Sequence, residues 1–283
     1  MQSTWVSVAD KRQAFRRLHE SGCFVIPNPW DIGSARMLQG LGFKALASTS
    51  SGFAWSQGRP DNGISRDMAL EHLAELVTAT DLPVNADFES GFAADPAGVA
   101  QSVRLAVETG VAGLSIEDST GDAAAPLFPI EEAVERLQAA RRAIDRAGPD
   151  TLLVGRAECY LVGRPDLQET IARLQAYANA GADCLYAPGL RTRDEITAVV
   201  AAVAPKSVNL LIGWASDLTV PDVAALGVRR VSVGGALARA AWGGFMRAAQ
   251  LMAREGRFDG FADAAAGKDL NAFFSGEQGA RRQ

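Results

Sequence analysis

The sequence predicts an α/β chain closed into a single (β/α)8 barrel. Three observations predict it. Short apolar runs alternate with amphipathic helical stretches along the whole chain. Several of those stretches end on a glycine just before the next apolar run. The runs number eight within 283 residues, close to the ~250 residues of a typical barrel.

The apolar runs are residues 23–27, 45–48, 83–86, 113–116, 152–156, 184–186, 207–212 and 230–233. Each is short and bounded by Gly, Pro or polar residues, the pattern of parallel strands buried on both faces. Helical periodicity is plainest over 97–108, 130–147, 167–180 and 193–204. Gly22, Gly42, Gly110, Gly181 and Gly227 stand where helices should close, and glycine there adopts the left-handed conformation without a Cβ penalty. An open, doubly wound sheet is the alternative, but eight strands in this length favour closure. No linker-like stretch divides the chain, so residues 1–283 read as one barrel domain. Residues 236–283 form its helical extension, broken by the segment EGRFDGF.

Hydrophobic residues make up 48% of the chain and charged residues 22%, enough for a large core. The net charge of -5 and the absence of a basic run argue against nucleic acid or an anionic membrane as partner. Cys23, Cys159 and Cys184 form no CxxC pair, which suits a reducing cytoplasm. No secretory leader and no membrane span is read. His19 and His72 fall in helical patterns and are expected at solvated positions.

In a barrel the chemistry sits where strands lead into the following helices. Polar residues gather there. Ser51, Gly52 and Phe53 follow the second strand, with Asp61 beyond them; Asp87 and Glu89 end the third; Glu117 and Asp118 end the fourth. Arg156 and Glu158 end the fifth, Tyr186 the sixth, and Asn209 and Ser232 lie in the last two. Four carboxylates from two neighbouring strand ends repel one another unless a dication neutralises them. With no His nearby, the oxygen-rich set suits Mg²⁺, or Mn²⁺, over Zn²⁺. Arg156 reads as the clamp for a substrate carboxylate, since guanidinium binds one bidentately, or as an ion-pair partner of Glu158 or Glu117. The backbone N–H groups around Gly52 offer a cradle for a carboxylate or an enolate oxygen; a simple turn is the plainer possibility.

Taken together, NPWDIGSARMLQGLGFKALASTSSGF, ADFESGF, GLSIEDS, VGRAECY and LGVRRVSVGGAL resemble segments of the isocitrate lyase/phosphoenolpyruvate mutase superfamily, over residues 24–240. The resemblance places Asp87 and Glu89 on its metal-binding ADxDTGYG segment, Glu117 on its IED segment, Arg156 and Glu158 on its ARxEA segment, and Asp61 on a further aspartate. It implies Mg²⁺, a small 2-oxo carboxylate substrate, an enolate intermediate, and a homo-oligomer, a tetramer or dimer, exchanging C-terminal helices. The sequence also departs from the pattern. The stretch EDSTGDAAAPLFPIEEAVERL has no Cys, Lys, His or Asn. The KKCGH-type acid of the isocitrate-cleaving branches and the Lys and Asn of the P–C branches are therefore missing. The expectation is a Mg²⁺-dependent lyase or decarboxylase, with Tyr186, Glu158 or Asp61 handling the proton. The alternatives are a P–C bond mutase or hydrolase and a non-catalytic 2-oxo acid binding barrel.

Overall fold

A computed structural model describes residues 6–276. Helix α1 (Val8–Glu20) precedes β1 (Phe24–Ile26), and α2 (Ile32–Gly40) leads to β2 (Leu46–Ala47). Two helices, α3 (Ser50–Ser56) and α4 (Arg66–Ala79), separate β2 from β3 (Val84–Asp87). The alternation continues with α5 (Pro96–Glu108), β4 (Gly113–Glu117), α6 (Ile130–Ala147), β5 (Leu152–Arg156), α7 (Leu167–Asn179) and β6 (Cys184–Tyr186). It ends with α8 (Arg193–Val203), β7 (Ser207–Leu211), α9 (Val220–Ala225) and β8 (Arg230–Ser232). Then come α10 (Ala236–Glu255) and α11 (Gly267–Phe274).

All pairings between these strands are parallel, in the order β1-β8-β7-β6-β5-β4-β3-β2. The barrel is nearly closed. At the remaining seam, between β1 and β2, Ala47 N–H donates to Pro27 O at 3.0 Å. Helix starts follow from local chemistry: Asp31, Thr49, Ser65, Asp95, Asp166, Thr192 and Thr219 each accept a backbone N–H of the first turn. The glycines expected to close helices do adopt positive φ, from 73° at Gly22 to 101° at Gly181. Leu114, Leu153 and Leu185 of adjacent strands pack outward into the main core with Leu137 and Leu174 of the helices. The opposite positions of the same strands face inward, apolar lower down at Val154 and Cys184 and polar at the strand ends, where Glu117, Arg156 and Tyr186 stand.

Both histidines depart from the solvated positions expected of them. His72 is buried, with its ring stacked on Phe53 at 3.9 Å between centroids. His19 is partly buried between Phe15 and Phe24. Burial lowers both, His72 to about 4 and His19 to about 3. His72 belongs to the apolar stripe of α4 with Ala69, Leu73 and Leu76, a spacing of three and four residues that marks a core-facing position.

The chain divides into a barrel unit, Met1–Ala236, and a helical unit, Leu237–Gln283. Within the helical unit, Gly260 lies so close to Ala248 that a Cβ on it would sit 2.9 Å from the Ala248 Cα. Phe245, Met246, Phe258, Phe261 and Phe274 are exposed.

Candidate active site

Asp87, the last residue of β3, is held from three sides. Ser48 Oγ accepts its N–H at 2.8 Å, and Ser50 donates N–H and Oγ–H to its Oδ2 at 2.9 and 2.8 Å. Arg156 Nη1 donates to Oδ1 at 3.0 Å. Arg156 and Glu117 are register partners on β5 and β4, so their side chains leave the barrel wall together, and Nη1 lies 3.2 Å from Glu117 Oε2. Glu158 reaches Arg156 Nε at 2.5 Å. The guanidinium thus sits among three carboxylates, with the Tyr186 ring 5.1 Å from it.

Glu89 adds a fourth acid from the loop after β3. Its φ is 48°, a left-handed conformation uncommon for a residue with a Cβ, and its carbonyl oxygen accepts Glu117 N–H at 3.0 Å. The two strand ends are tied together at that bond. Glu89 Oε1 is buried without a hydrogen-bond partner. Burial and the charges of Asp87 and Asp61 push Glu89 up to about 8. Glu117 and Glu158 are raised as well, burial outweighing the opposing Arg156 charge. Burial disfavours the charged form of Arg156, but Glu117 and Glu158 outweigh it and hold the guanidinium protonated.

A surplus of buried acid around one cation has the charge to hold a second. Among the described residues no three His, Cys, Asp or Glu side chains already converge at metal-binding spacing. Mg²⁺ takes few protein ligands directly and keeps several waters, so Asp87, Glu89 and Glu117 fit it, and the orphaned Glu89 oxygen fits it best. A pH dependence follows. As a Mg²⁺ ligand Glu89 would have to lose its proton, so Mg²⁺ affinity should rise with pH, at least one proton being displaced, and the Glu89 contribution should level off above about 8. Calorimetry in buffers of different ionisation enthalpy measures that proton; affinity flat from pH 6 to 9 would refute the role of Glu89.

Asp118 does not join this group. It is buried, with Oδ1 accepting Glu158 N–H at 2.8 Å and Oδ2 accepting from Arg173 at 3.0 Å and Tyr177 at 2.5 Å. Arg173 also donates to Phe128 O, so Asp118 pins the β4–α6 loop rather than facing the other acids. Asp118→Ala should lower stability by about 3 kcal/mol, because it strands the buried Arg173 and Tyr177, yet leave Mg²⁺ affinity within a few-fold. A large loss of affinity with stability unchanged would restore it to the metal set.

The expected backbone cradle is also different. Residues 50–56 are helical, and the N–H groups of Gly52 and Phe53 are taken by Thr49 Oγ1 and Thr49 O. The first-turn donors that face the acids come from Ser50, and Ser51 lines the cavity while Phe53 stacks on His72.

The cavity at these strand ends has a volume of about 170 Å³. Asp87, Arg156, Tyr186, Asn209 and Ser232 line it, with Asp61 at the exposed rim. Asn209 Nδ2 donates to Ser232 Oγ at 2.9 Å. Burial keeps the Tyr186 hydroxyl protonated, pushed up to about 12. Burial and Asp87 raise Asp61. Glu158 lies behind Arg156, outside the lining. Sequence reasoning missed Ser48, Asn85 and Arg230. The β4–α6 loop folds on itself through the Ser119–Leu127 bridge and the Thr120 hydroxyl bond to Ala125 O. A larger groove, about 670 Å³, lies on the outside between α5 and α6, but its lining is mostly alanine and arginine and offers no cluster of acids.

A barrel with acids and an arginine gathered at its strand ends is an enzyme of the type that acts on small molecules at that face. The chain belongs to the phosphoenolpyruvate phosphomutase family, whose model matches residues 15–253, within the isocitrate lyase/phosphoenolpyruvate mutase superfamily that the motifs resemble. Its members are lyases, mutases and hydrolases acting on C–C or P–C bonds. A crystal structure of a lyase/mutase candidate from Burkholderia cenocepacia J2315 is 51% identical, with a TM-score of 0.92 over 95% of this chain and 97% of that one. An oxaloacetate decarboxylase from Bradyrhizobium diazoefficiens is 31% identical over 71% of this chain and 70% of its own. A phosphonopyruvate hydrolase, solved with oxalate and Mg²⁺, is 28% identical, with a TM-score of 0.83 and 96% of each chain covered.

Proposed function

We propose that the protein is a Mg²⁺-dependent lyase or decarboxylase acting on a small 2-oxo or 2-hydroxy carboxylate through a pyruvate-like enolate. One observation carries this reading: Asp87, Glu89 and Glu117 form a buried acidic surplus around Arg156, beside a cavity sized for a small acid. Mg²⁺ held by these acids would polarise the 2-oxo group and stabilise the enolate oxygen. Arg156 meets the substrate carboxylate with its fork, exchanging contacts with Asp87 and Glu117 for it. Ser50 holds the Asp87 carboxylate in place from below. Tyr186, protonated through the neutral range, donates its O–H towards the reacting end, and Asp61 at the rim exchanges the proton with water. Glu158 positions Arg156.

C–C cleavage is preferred over P–C cleavage because the β4–α6 hairpin carries hydroxyls and Asp122 but no lysine or asparagine to hold a phosphoryl group. The test is pyruvate release from oxaloacetate in the presence of Mg²⁺. Turnover above that of free Mg²⁺ supports the reading. Its absence, together with Mg²⁺-dependent oxalate binding, would leave a binding barrel; phosphate release from phosphonopyruvate would make the protein a P–C enzyme.

We also propose a homo-oligomer, tetramer or dimer, in which the exposed aromatic residues of α10 and α11 are covered. Light scattering that returns a monomer would contradict it. No described helix is long and apolar enough to cross a membrane. The three free cysteines support a cytoplasmic setting.

A further inference from the structure

Arg230 lies at the floor of the cavity, 2% exposed. Its Nε donates to Asn209 Oδ1 at 2.8 Å and its Nη1 to Asn85 Oδ1 at 3.3 Å. No carboxylate of the described residues forms an ion pair with it, and Nη2 makes no hydrogen bond with them. Other buried arginines are satisfied differently. Arg156 and Arg173 meet carboxylates. Arg136 has its fork filled by the backbone oxygens of Ser90, Ala93 and Ala94. A buried cation met only by amide dipoles, with a nitrogen free towards a polar cavity, is an anion site.

Its depth decides what anion. Asn85 and Asp87 are two residues apart on β3, and both face inward. At ~3.3 Å per residue, the Arg230 level lies about 7 Å below the acid cluster. That is the span between the two ends of a short dicarboxylate. The cavity joins the two levels.

We propose that Arg230 is a specificity-determining residue, binding the second carboxylate of a short-chain 2-oxo or 2-hydroxy dicarboxylate whose first end lies at Arg156 and the acids. This rests on the metal-site reading above and goes further, by naming the substrate class and the residue that selects it. Asn85 and Asn209 hold the guanidinium with its remaining nitrogen towards the ligand. Arg229, just before β8, turns outward and donates to Gly22 O, whereas Arg230, the first residue of β8, turns inward.

The experiment uses the full chain with Mg²⁺ and three probes whose binding is read: oxalate, malate and 2-hydroxybutanoate, the last replacing the distal carboxylate of malate by methyl. Calorimetry should find malate bound about 100-fold more tightly than 2-hydroxybutanoate, as one buried charge-assisted contact allows. In Arg230→Met that preference should fall to a few-fold, with oxalate affinity unchanged. Arg230→Lys should keep part of it. The wild-type comparison needs no variant to fold. If oxalate binds with Mg²⁺ but wild type does not discriminate malate from 2-hydroxybutanoate, or if Arg230→Met keeps the preference, this inference is overturned alone. If oxalate itself does not bind, the metal reading falls with it.

Discussion

Asp87→Ala is expected to lower kcat/KM by about 1,000-fold or more, several kcal/mol of transition-state stabilisation. Asp87 is the one acid of the cluster fixed in place from both sides, by Ser50 and Arg156, at the mouth of the cavity. Its removal would take away a proposed metal ligand and release Arg156 towards Glu117 and Glu158. It also removes a carboxylate that raises Glu89, so the fold itself should lose little stability. A thermal unfolding curve without metal near that of wild type, beside activity reduced to that of free Mg²⁺, is the expected pair of results. Retained Mg²⁺-dependent turnover would remove Asp87 from the mechanism.

Arg156→Met is expected to have the largest effect on stability, about 3–5 kcal/mol, because it leaves buried Glu117 and Glu158 without their counter-charge. In a chain of this size that is about 10 °C in Tm. The pH dependence has a definite sign. Both acids are raised in the folded protein, so they contribute stability at low pH that is lost as pH rises through their folded values. Without Arg156 those values rise further. The variant should therefore lie closest to wild type near pH 5 and fall furthest below it at pH 8. Arg156→Met combined with Glu158→Gln should recover part of the loss. A deficit independent of pH would mean that the ion pairs are not its source.

The barrel was legible because its signals are local. Apolar runs, capping residues and left-handed glycines each reflect a short-range preference, and Ile130–Ala147 and Leu152–Arg156 have the bounds their periodicity predicts. The acids were legible as residues at strand ends, since strand position alone places them at one face. Partnership was not legible. Asp118 neighbours Glu117 in sequence, but the strand alternation turns it to Arg173 and Tyr177 on α7, a helix whose position no local pattern reveals. Gly52 read as part of an open turn, whereas Thr49 caps a helix there and uses its N–H. Arg230 was hidden for a similar reason: only the barrel shows that the start of β8 faces Asn85, 145 residues away, across the interior.

The most direct test of the metal site is a crystal soaked with Mn²⁺ and oxalate and read by anomalous scattering. The structure predicts one strong peak at the strand ends, coordinated by Asp87 and by Glu89 or Glu117, directly or through water, with oxalate between it and Arg156. A peak elsewhere, or ordered oxalate with no metal beside these acids, would contradict the account.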